Sequence, residues 1–399
     1  MTETKLAQVV DLAVEDLEMT PGAPDESFDP LIRQDPRVKA RGSVTIYDVA
    51  DQAGVSIKTV SRVMNGEHVR PETRDRVAAA ATAMGYHPKL SARSLAGSRS
   101  FLIAVFVDAE LTIEHWKSEH GSDYLARVQL GATLRSREGG YRVIIELIDH
   151  DPPRLVQEVN KAIATLNPDG VILTPPSADN PTVLAMLRES GTPFVRMGAE
   201  RSEGGGLRLR LHDRAAAQHS TEHLISLGHR QIGFLMGDPR HAASRARLEG
   251  YREAMTAAGL AVDPSWIRPG DFTFQSGQAE AANLFALDSR PTAIFACNDE
   301  MAFGCLEAAA AAGLAVPRDL SVVGFDDSSG SRLSNPPLTT VRQPLSDLAG
   351  HAADLLMSGA VAPDCDEEAG PGPFPAFRLI CRKSTAPPLR LGQPMDAAP

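Results

Sequence analysis

From Leu102 onward the chain alternates short apolar runs with longer stretches of helical period. LIAVFV, YRVIIELI, DGVILTPP, TPFVRMG, QIGFLMG, TAIFAC and LSVVGFD are nearly continuous in apolar residues, and a helical stretch follows each. Runs of that kind are strands covered on both faces, so the pattern predicts an α/β fold of parallel sheets flanked by helices. About 280 residues is long for one doubly wound sheet and natural for two. Residues 44–88 read differently, as consecutive short helices without strands. Residues 1–43 mix charge, Pro and Gly; a short amphipathic helix fits Leu6–Leu17, and the rest is expected to be disordered. Residues 384–399 read as a Pro-rich tail without an apolar heptad.

Composition changes this picture in one respect. The 399 residues are 43% hydrophobic and 23% charged, an ordinary soluble balance. The net charge of −11 argues, as an average, against nucleic acid. The average hides an asymmetry, because residues 41–99 hold 9 basic and 5 acidic side chains while 1–40 hold 4 and 9. A local basic excess is what phosphate attraction requires. The four cysteines (Cys297, Cys305, Cys365 and Cys381) form no C-x-x-C pair, which excludes a disulfide scaffold and shows no zinc or redox motif. The acidic start carries no secretory signal and no run reaches the roughly 20 apolar residues of a membrane span, so a soluble, cytoplasmic protein is expected.

In the helical module, Thr45-Ile46-Tyr47-Asp48 has the spacing of a capping box. A helix then runs to about Gln52, where Gly54 supplies the left-handed residue a tight turn needs. Ser56 caps a second helix, Ile57 to about Met64, whose Val60 and Val63 point back toward Val49 and Ala53. A third helix starts at Pro71, with Val77, Ala81 and Met84 as its inner stripe. Two short helices joined by a Gly turn make a helix-turn-helix, whose second helix fits the major groove. Lys58 and Arg62 can donate to guanine N7 and O6, and Ile57 can meet a thymine methyl. Thr59, Ser61, Asn65 and His68 suit phosphates, and Thr45, Tyr47 and Ser56 complete the DNA-binding set. Lys and Arg on a helix face are commonly just solvated. Here capping box, Gly turn, second cap and local charge agree in one window.

These residues carry a resemblance. VTIYDVADQAGVSIKTVSRVMNG, followed by VRPETRDRVAAAATAMGYHPKLSARSLAG, closely resembles the headpiece of lactose/galactose-repressor (LacI/GalR) transcription regulators. It continues through LGHRQIGFLMG, SRARLEGY, TAIFACNDEMAFG, LSVVGFDD and PPLTTVRQP to about Lys383. The resemblance implies a headpiece over 44–88, a hinge over 89–99, and an effector-binding and dimerisation domain over 100–383 built of two subdomains like those of periplasmic sugar-binding proteins. In the hinge it implies that Leu95 wedges into the minor groove and that Ala92 lets paired hinges approach closely. Leu95 also suits a linker residue packed on its own domain.

Open parallel sheets bind ligands at the carboxyl ends of their strands. Arg247 follows FLMGDP, Asn298 and Asp299 follow AIFAC, Asp326 and Asp327 follow SVVGF, and Phe272 in GDFTF could stack on a sugar ring. The family positions for effector binding match Arg247, Phe272, Asn298 and Asp326. Each has a plainer reading: a surface ion pair for Arg247, core for Phe272, a helix cap for Asn298 with Asp299, and a turn residue for Asp326. After TPFV the chain carries Arg196 where many relatives place an Asp. Arg196 either favours an acidic or phosphorylated sugar or forms a salt bridge to Asp326 or another wall residue. The first strand exit, VDAELTIEHWKSEHGSDY, is long and polar, and no ligand contact is assigned within it. His219 and His223 stand four apart on a helix without a third ligand, Cys297 reads as a small buried residue, and Gly204-Gly205-Gly206 lies in a polar loop.

The expectation is a repressor that binds a pseudo-palindromic operator in double-stranded DNA as a homodimer. A small-molecule effector, a sugar, controls it from between the subdomains, and neither a cofactor nor catalysis is involved. Two readings from other classes are a sugar-binding protein of the transport type and a sugar-processing enzyme. The basic headpiece argues against the first, and the lack of a catalytic constellation argues against the second.

Overall fold

A computed structural model describes residues 44–64, 67–86, 99–369 and 376–389. The chain divides into two compact units, residues 1–88 and 89–399. Within the first, α1 (Ile46–Ala53), α2 (Ile57–Met64) and α3 (Pro71–Met84) close around Val49, Ala50, Ala53, Val60, Val77, Ala80 and Ala81. Val60 is the one fully buried residue of α2, so a single apolar anchor leaves the rest of that helix surface free. Gly54 ends α1 at φ +61°, and a Cβ there would meet nothing within 4 Å; the glycine serves the backbone turn rather than a close approach.

The second unit has two lobes. In the first, β1 (Leu102–Asp108), β2 (Arg142–Ile148), β3 (Gly170–Leu173), β4 (Phe194–Met197) and β5 (Leu207–Leu209) form a parallel sheet in the order β2-β1-β3-β4-β5. The helices around it are α4 (Ala109–Ser118), α5 (Asp123–Glu138), α6 (Pro152–Leu166) and α7 (Pro181–Glu189). Both faces of β1 are covered: Ile103, Val105 and Val107 pack with Val128 and Ala132 of α5, while Ala104 and Phe106 pack with Val159 of α6 and Leu187 of α7. That is why the strand reads as a continuous apolar run rather than an alternation.

The second lobe repeats the plan. Helix α8 (Asp213–Ser226) leads into β6 (Ile232–Leu235), α9 (Ala242–Ala257), β7 (Ile267–Arg268), α10 (Phe274–Phe285), β8 (Ala293–Ala296), α11 (Asp299–Ala311) and β9 (Ser321–Val323). The four strands are parallel in the order β7-β6-β8-β9. The chain then returns: β10 (Thr340–Arg342) leads to α12 (Leu345–Ser358), whose Leu345, Leu348 and Ala352 enter the first lobe's core, and β11 (Arg378–Ile380) pairs antiparallel with β10. Helix α12 lies so close to α5 that a Cβ on Gly131 would fall 1.9 Å from the Ser346 carbonyl oxygen.

The tail expected from residue 384 begins later. Ser384 is fully buried; its carbonyl accepts from Val322 N–H at 2.8 Å and its hydroxyl donates to Val322 O at 2.6 Å. Ala386 N–H reaches Ser321 Oγ at 3.0 Å, so residues 384–386 run beside β9, at a sheet edge that tolerates the prolines that follow. The segment near Leu6–Leu17 lies outside the described residues.

Candidate functional site

In the first unit, Asp48 accepts hydrogen bonds from Thr45 N–H and Thr45 Oγ1, both at 2.7 Å, and these bonds hold its carboxyl below the usual carboxylate range. Ser56 Oγ receives Thr59 N–H at 3.2 Å and contacts the Thr59 hydroxyl at 2.9 Å, so the Thr59 hydroxyl is shared with the helix cap. Tyr47 (64% exposed), Ile57 (40%), Lys58 and Arg62 stand on the surface, while Thr59 and Ser61 are half-buried. An exposed tyrosine and isoleucine on a headpiece this small leave an apolar contact surface beside the lysine. Arg62 is not idle: its Nε donates to Glu67 at 3.2 Å and its Nη2 to the His68 carbonyl at 2.8 Å. Asn65, Ala92 and Leu95 lie outside the described residues.

In the second unit, strand exits of both lobes converge on a cavity of about 110 Å³. Arg247, on the first turns of α9, lines it and is almost fully buried. Its Nε and Nη2 meet Asp213 at 2.8 and 2.7 Å, Nη1 donates to the Cys297 carbonyl, and its Cζ lies 3.6 Å over the Phe325 ring. The guanidinium is therefore a buried ion pair with an edge toward the cavity, not the surface pair that was its plainer reading. Asn298 does two structural jobs: Oδ1 caps α11 through Met301 N–H at 2.9 Å, and Nδ2 donates to the Phe272 carbonyl at 2.8 Å. That second bond holds Phe272 at φ +70°, an unusual conformation for an aromatic residue, with its ring packed on Gly237 and in the cavity wall.

The two aspartates after β9 part company. Asp327 enters a clamp of Arg342, at 2.5 Å, and Arg382; burial works against its charge, but the two arginines hold its carboxyl below the usual range. Asp326, at φ +108°, turns into the cavity. Its N–H is held by Val341 O at 2.8 Å and its carbonyl by Arg127 Nη1 at 3.0 Å, while its carboxylate has no hydrogen-bond partner among the described residues. Burial pushes this carboxyl up to about 7, against the opposing pull of Arg247. Asp299 braces the same loop, taking Thr340 Oγ1 at 2.5 Å and Ser328 N–H at 2.7 Å, and burial raises it well above the usual range.

Several lining residues were missed. Asp108, His115, Trp116, Asp123 and Tyr124 all come from the polar first strand exit, whose polarity was the available signal. Glu300 lies within TAIFACNDEMAFG and His241 lies three residues before SRARLEGY, and both line the cavity. His241 Nε2 stands 3.4 Å from Asp108 Oδ2 and Arg240 bonds Glu110 at 2.8 Å, both between the lobes. Asp123 likewise receives Ser329 N–H at 3.0 Å. Burial lowers His115 and raises Glu300 and the Tyr124 hydroxyl.

Arg196 is a correction. It is fully buried, lies outside the cavity wall, and spends all five donors within the protein, three on the loop that follows it and two on Ala178 and Asp179. Nε donates to Ala178 O, Nη1 to Glu203 O and Gly205 O, and Nη2 to Asp179 Oδ1 and Arg201 O, at 2.7–3.3 Å. Gly204, Gly205 and Gly206 all take positive φ, which lets the loop turn its carbonyls inward around the guanidinium. The ion pair is with Asp179, which is not in the cavity wall, rather than with Asp326 or another wall residue, and Arg196 has no donor left for a ligand. Of the histidine pair, His223 contacts Thr385 at 3.2 Å while His219 lies beside Glu222 at 3.9 Å. Cys297 is fully buried, and burial pushes its thiol up to about 11.

Comparison with known proteins matches residues 45–89 to "Bacterial regulatory proteins, lacI family" and residues 221–385 to "Periplasmic binding protein-like domain". The chain is 33% identical over 316 residues to catabolite control protein A of Priestia megaterium, covering 79% of this chain and 92% of that protein. It is 33% identical over 329 residues to the HTH-type transcriptional regulator CelR of Thermobifida fusca, covering 80% and 93%. Among solved structures, it is similar to a CelR–cellobiose complex (29% identity, 86% of this chain and 99% of that one, TM-score 0.61). The lac repressor dimer bound to operator and the anti-inducer ONPF gives 28% identity, the same coverages and a TM-score of 0.68.

Proposed function

The chain belongs to the LacI family and is a DNA-binding transcription regulator, and on that premise we propose that it is a repressor whose operator affinity is set by a sugar-class effector bound in the cavity between its lobes. The observation that carries the reading is the unpartnered carboxylate of Asp326 beside Arg247. A strained, half-buried acid in the cavity wall with no partner of its own is a group held ready for a ligand. Phe272 offers an apolar face to a sugar ring, and Asn298 keeps it there. At roughly 10–15 Å³ per water, the cavity has room for a ligand of about monosaccharide size.

On DNA, Ile57, Lys58 and Arg62 read base edges in one major-groove half-site, and Thr45, Tyr47, Ser56, Thr59, Ser61, Asn65 and His68 serve phosphates and register. The chain acts as a homodimer, so two half-sites make a pseudo-palindromic operator, with Leu95 and Ala92 of paired hinges at its centre. Ligand and operator are coupled reciprocally, because a ligand that weakens DNA binding is itself bound less tightly by the DNA complex. No helix among the described residues is long and apolar enough to cross a membrane. We place the protein in the cytoplasm, where its operator is, and assign it no catalysis; turnover of a sugar by purified protein would overturn that.

The test is operator binding followed by fluorescence anisotropy while pooled sugars are titrated. A ligand that shifts operator affinity in the wild type and has no effect on Asp326→Ala, with operator binding itself preserved, is the expected result. A variant that responds at the same ligand concentration would misplace the effector site.

A further inference from the structure

Resting on the reading of this cavity as the effector site, we infer that the effector carries a protonated amine: an amino sugar or an aminated polyol, rather than a neutral or an acidic sugar. The charges and hydrogen-bonding groups of the wall do not balance. Five lining carboxylates (Asp108, Asp123, Asp299, Glu300 and Asp326) face a single lining arginine, Arg247, and two histidines, His115 and His241, and that arginine is already paired with Asp213 behind it. Three of the five are engaged inside the protein: Asp108 with Leu111 N–H and beside His241, Asp123 with Ser329, Asp299 with Thr340 and Ser328.

Glu300 and Asp326 are left. Glu300 is only 8% exposed, and its Oε2 is sealed from solvent without a hydrogen-bond partner; Asp326 also has none among the described residues. The Tyr124 hydroxyl, in the same wall, is also sealed without a partner, as are Asp108 Oδ2, His115 Nε2, His241 Nε2 and Ser328 Oγ, and the tyrosine oxygen can accept an N–H. A buried carboxylate oxygen with no donor is costly, and burial displaces both carboxyls upward.

Ligand classes differ in what they return to this wall. A neutral sugar supplies O–H donors but leaves the negative charge uncompensated. A carboxylate or phosphate adds to it, since Arg247 is neutralised by Asp213. An ammonium supplies three N–H donors and the positive charge that this acidic wall lacks. The aromatic faces of Trp116 and Phe272 in the same wall favour a cation as well as a sugar ring.

The experiment is calorimetric titration of the full chain with matched ligands: D-glucosamine and D-galactosamine, their neutral parents D-glucose and D-galactose, N-acetyl-D-glucosamine, and D-glucuronate. At least one amine is expected to bind ten-fold or more tighter than both its parent and, for glucosamine, its acetylated form. In Glu300→Gln, a near-isosteric change that removes the unpaired charge and whose folding a thermal melt verifies, that gap should shrink to a few-fold. A neutral or acidic congener that binds as tightly as the amine overturns the inference while leaving the effector site standing, and so does an undiminished gap in the variant. Binding of no amine overturns it too. If no ligand of any class shifts operator affinity, the effector-site reading falls with it.

Discussion

Asp326 shows what a single residue in this cavity costs the fold. Its carboxyl, pushed up to about 7 by burial, keeps a proton in the folded chain where the unfolded chain has released it. The folded state therefore binds more protons between about pH 4 and pH 7, and stability falls as pH rises through that window. Glu300 and Glu200 (the latter also pushed up to about 7) add slope of the same sign, so the wild-type curve alone does not isolate Asp326. The difference from Asp326→Asn does: the variant should melt about a few degrees higher than wild type at pH 8, with the gap closing near pH 4. An equal or lower melting temperature at pH 8 would contradict the assigned environment. In the headpiece, Arg62→Ala should weaken operator discrimination by about 1–3 kcal/mol at one base pair and leave ligand affinity unchanged, read by competition among single-base operator variants. Its exposed pair with Glu67 is no obstacle, because such pairs contribute about 0–1 kcal/mol. The positions at strand ends were legible because polar residues after apolar runs stand out. Arg196 was misleading for the same reason: its partners are mostly loop carbonyls, and nothing in residue spacing announces that a glycine-rich loop will fold around a guanidinium. Asp213 was invisible for a similar cause, since a buried counter-ion 34 positions from Arg247 carries no local signal.

At the scale of elements, two glycines with different duties separate backbone strain from packing. Gly54→Ala should cost about 1–2 kcal/mol, the strain of a left-handed turn, because the added Cβ meets nothing. Its readout is a modest loss of operator affinity without change in the main thermal transition. Gly131→Ala pushes a Cβ into the Ser346 backbone at the α5–α12 contact, where neither helix yields easily, and overpacking there should cost about 1–3 kcal/mol or more. It should lower the main transition and leave the headpiece intact, as followed by calorimetry. The strands and the headpiece helices could be read from period and caps alone, with α1 ending at Ala53, one residue beyond the expected point. Helix α4 was legible only as the helical stretch expected after LIAVFV: none of its ten residues is fully buried, and its inner side faces the cavity. A helix that lines a site for something else has no reason to look amphipathic. Residues 384–386 escaped for another reason, since a short irregular segment held at a sheet edge has no periodicity.

Over the whole molecule, charge and assembly decide how the parts act together. A chain of net charge −11 binds DNA through a short basic module, so its non-specific affinity should be low and steeply dependent on salt, leaving specific contacts to select the operator. Paired hinges call for two copies, and light scattering of the purified chain should give the mass of two chains, twice 42.6 kDa. A mass of four chains would contradict the dimer. Contacts between the lobes at His241–Asp108, Arg240–Glu110 and Ser329–Asp123 surround the cavity, so a ligand there acts where the lobes meet. The most direct test of the account is selection of random duplex DNA by the purified chain at about 150 mM salt, with and without a pool of sugars and amino sugars. The account predicts a two-fold symmetric motif whose enrichment changes when the pool is added. Weak binding without a motif, lost on raising the salt and indifferent to the pool, would contradict it.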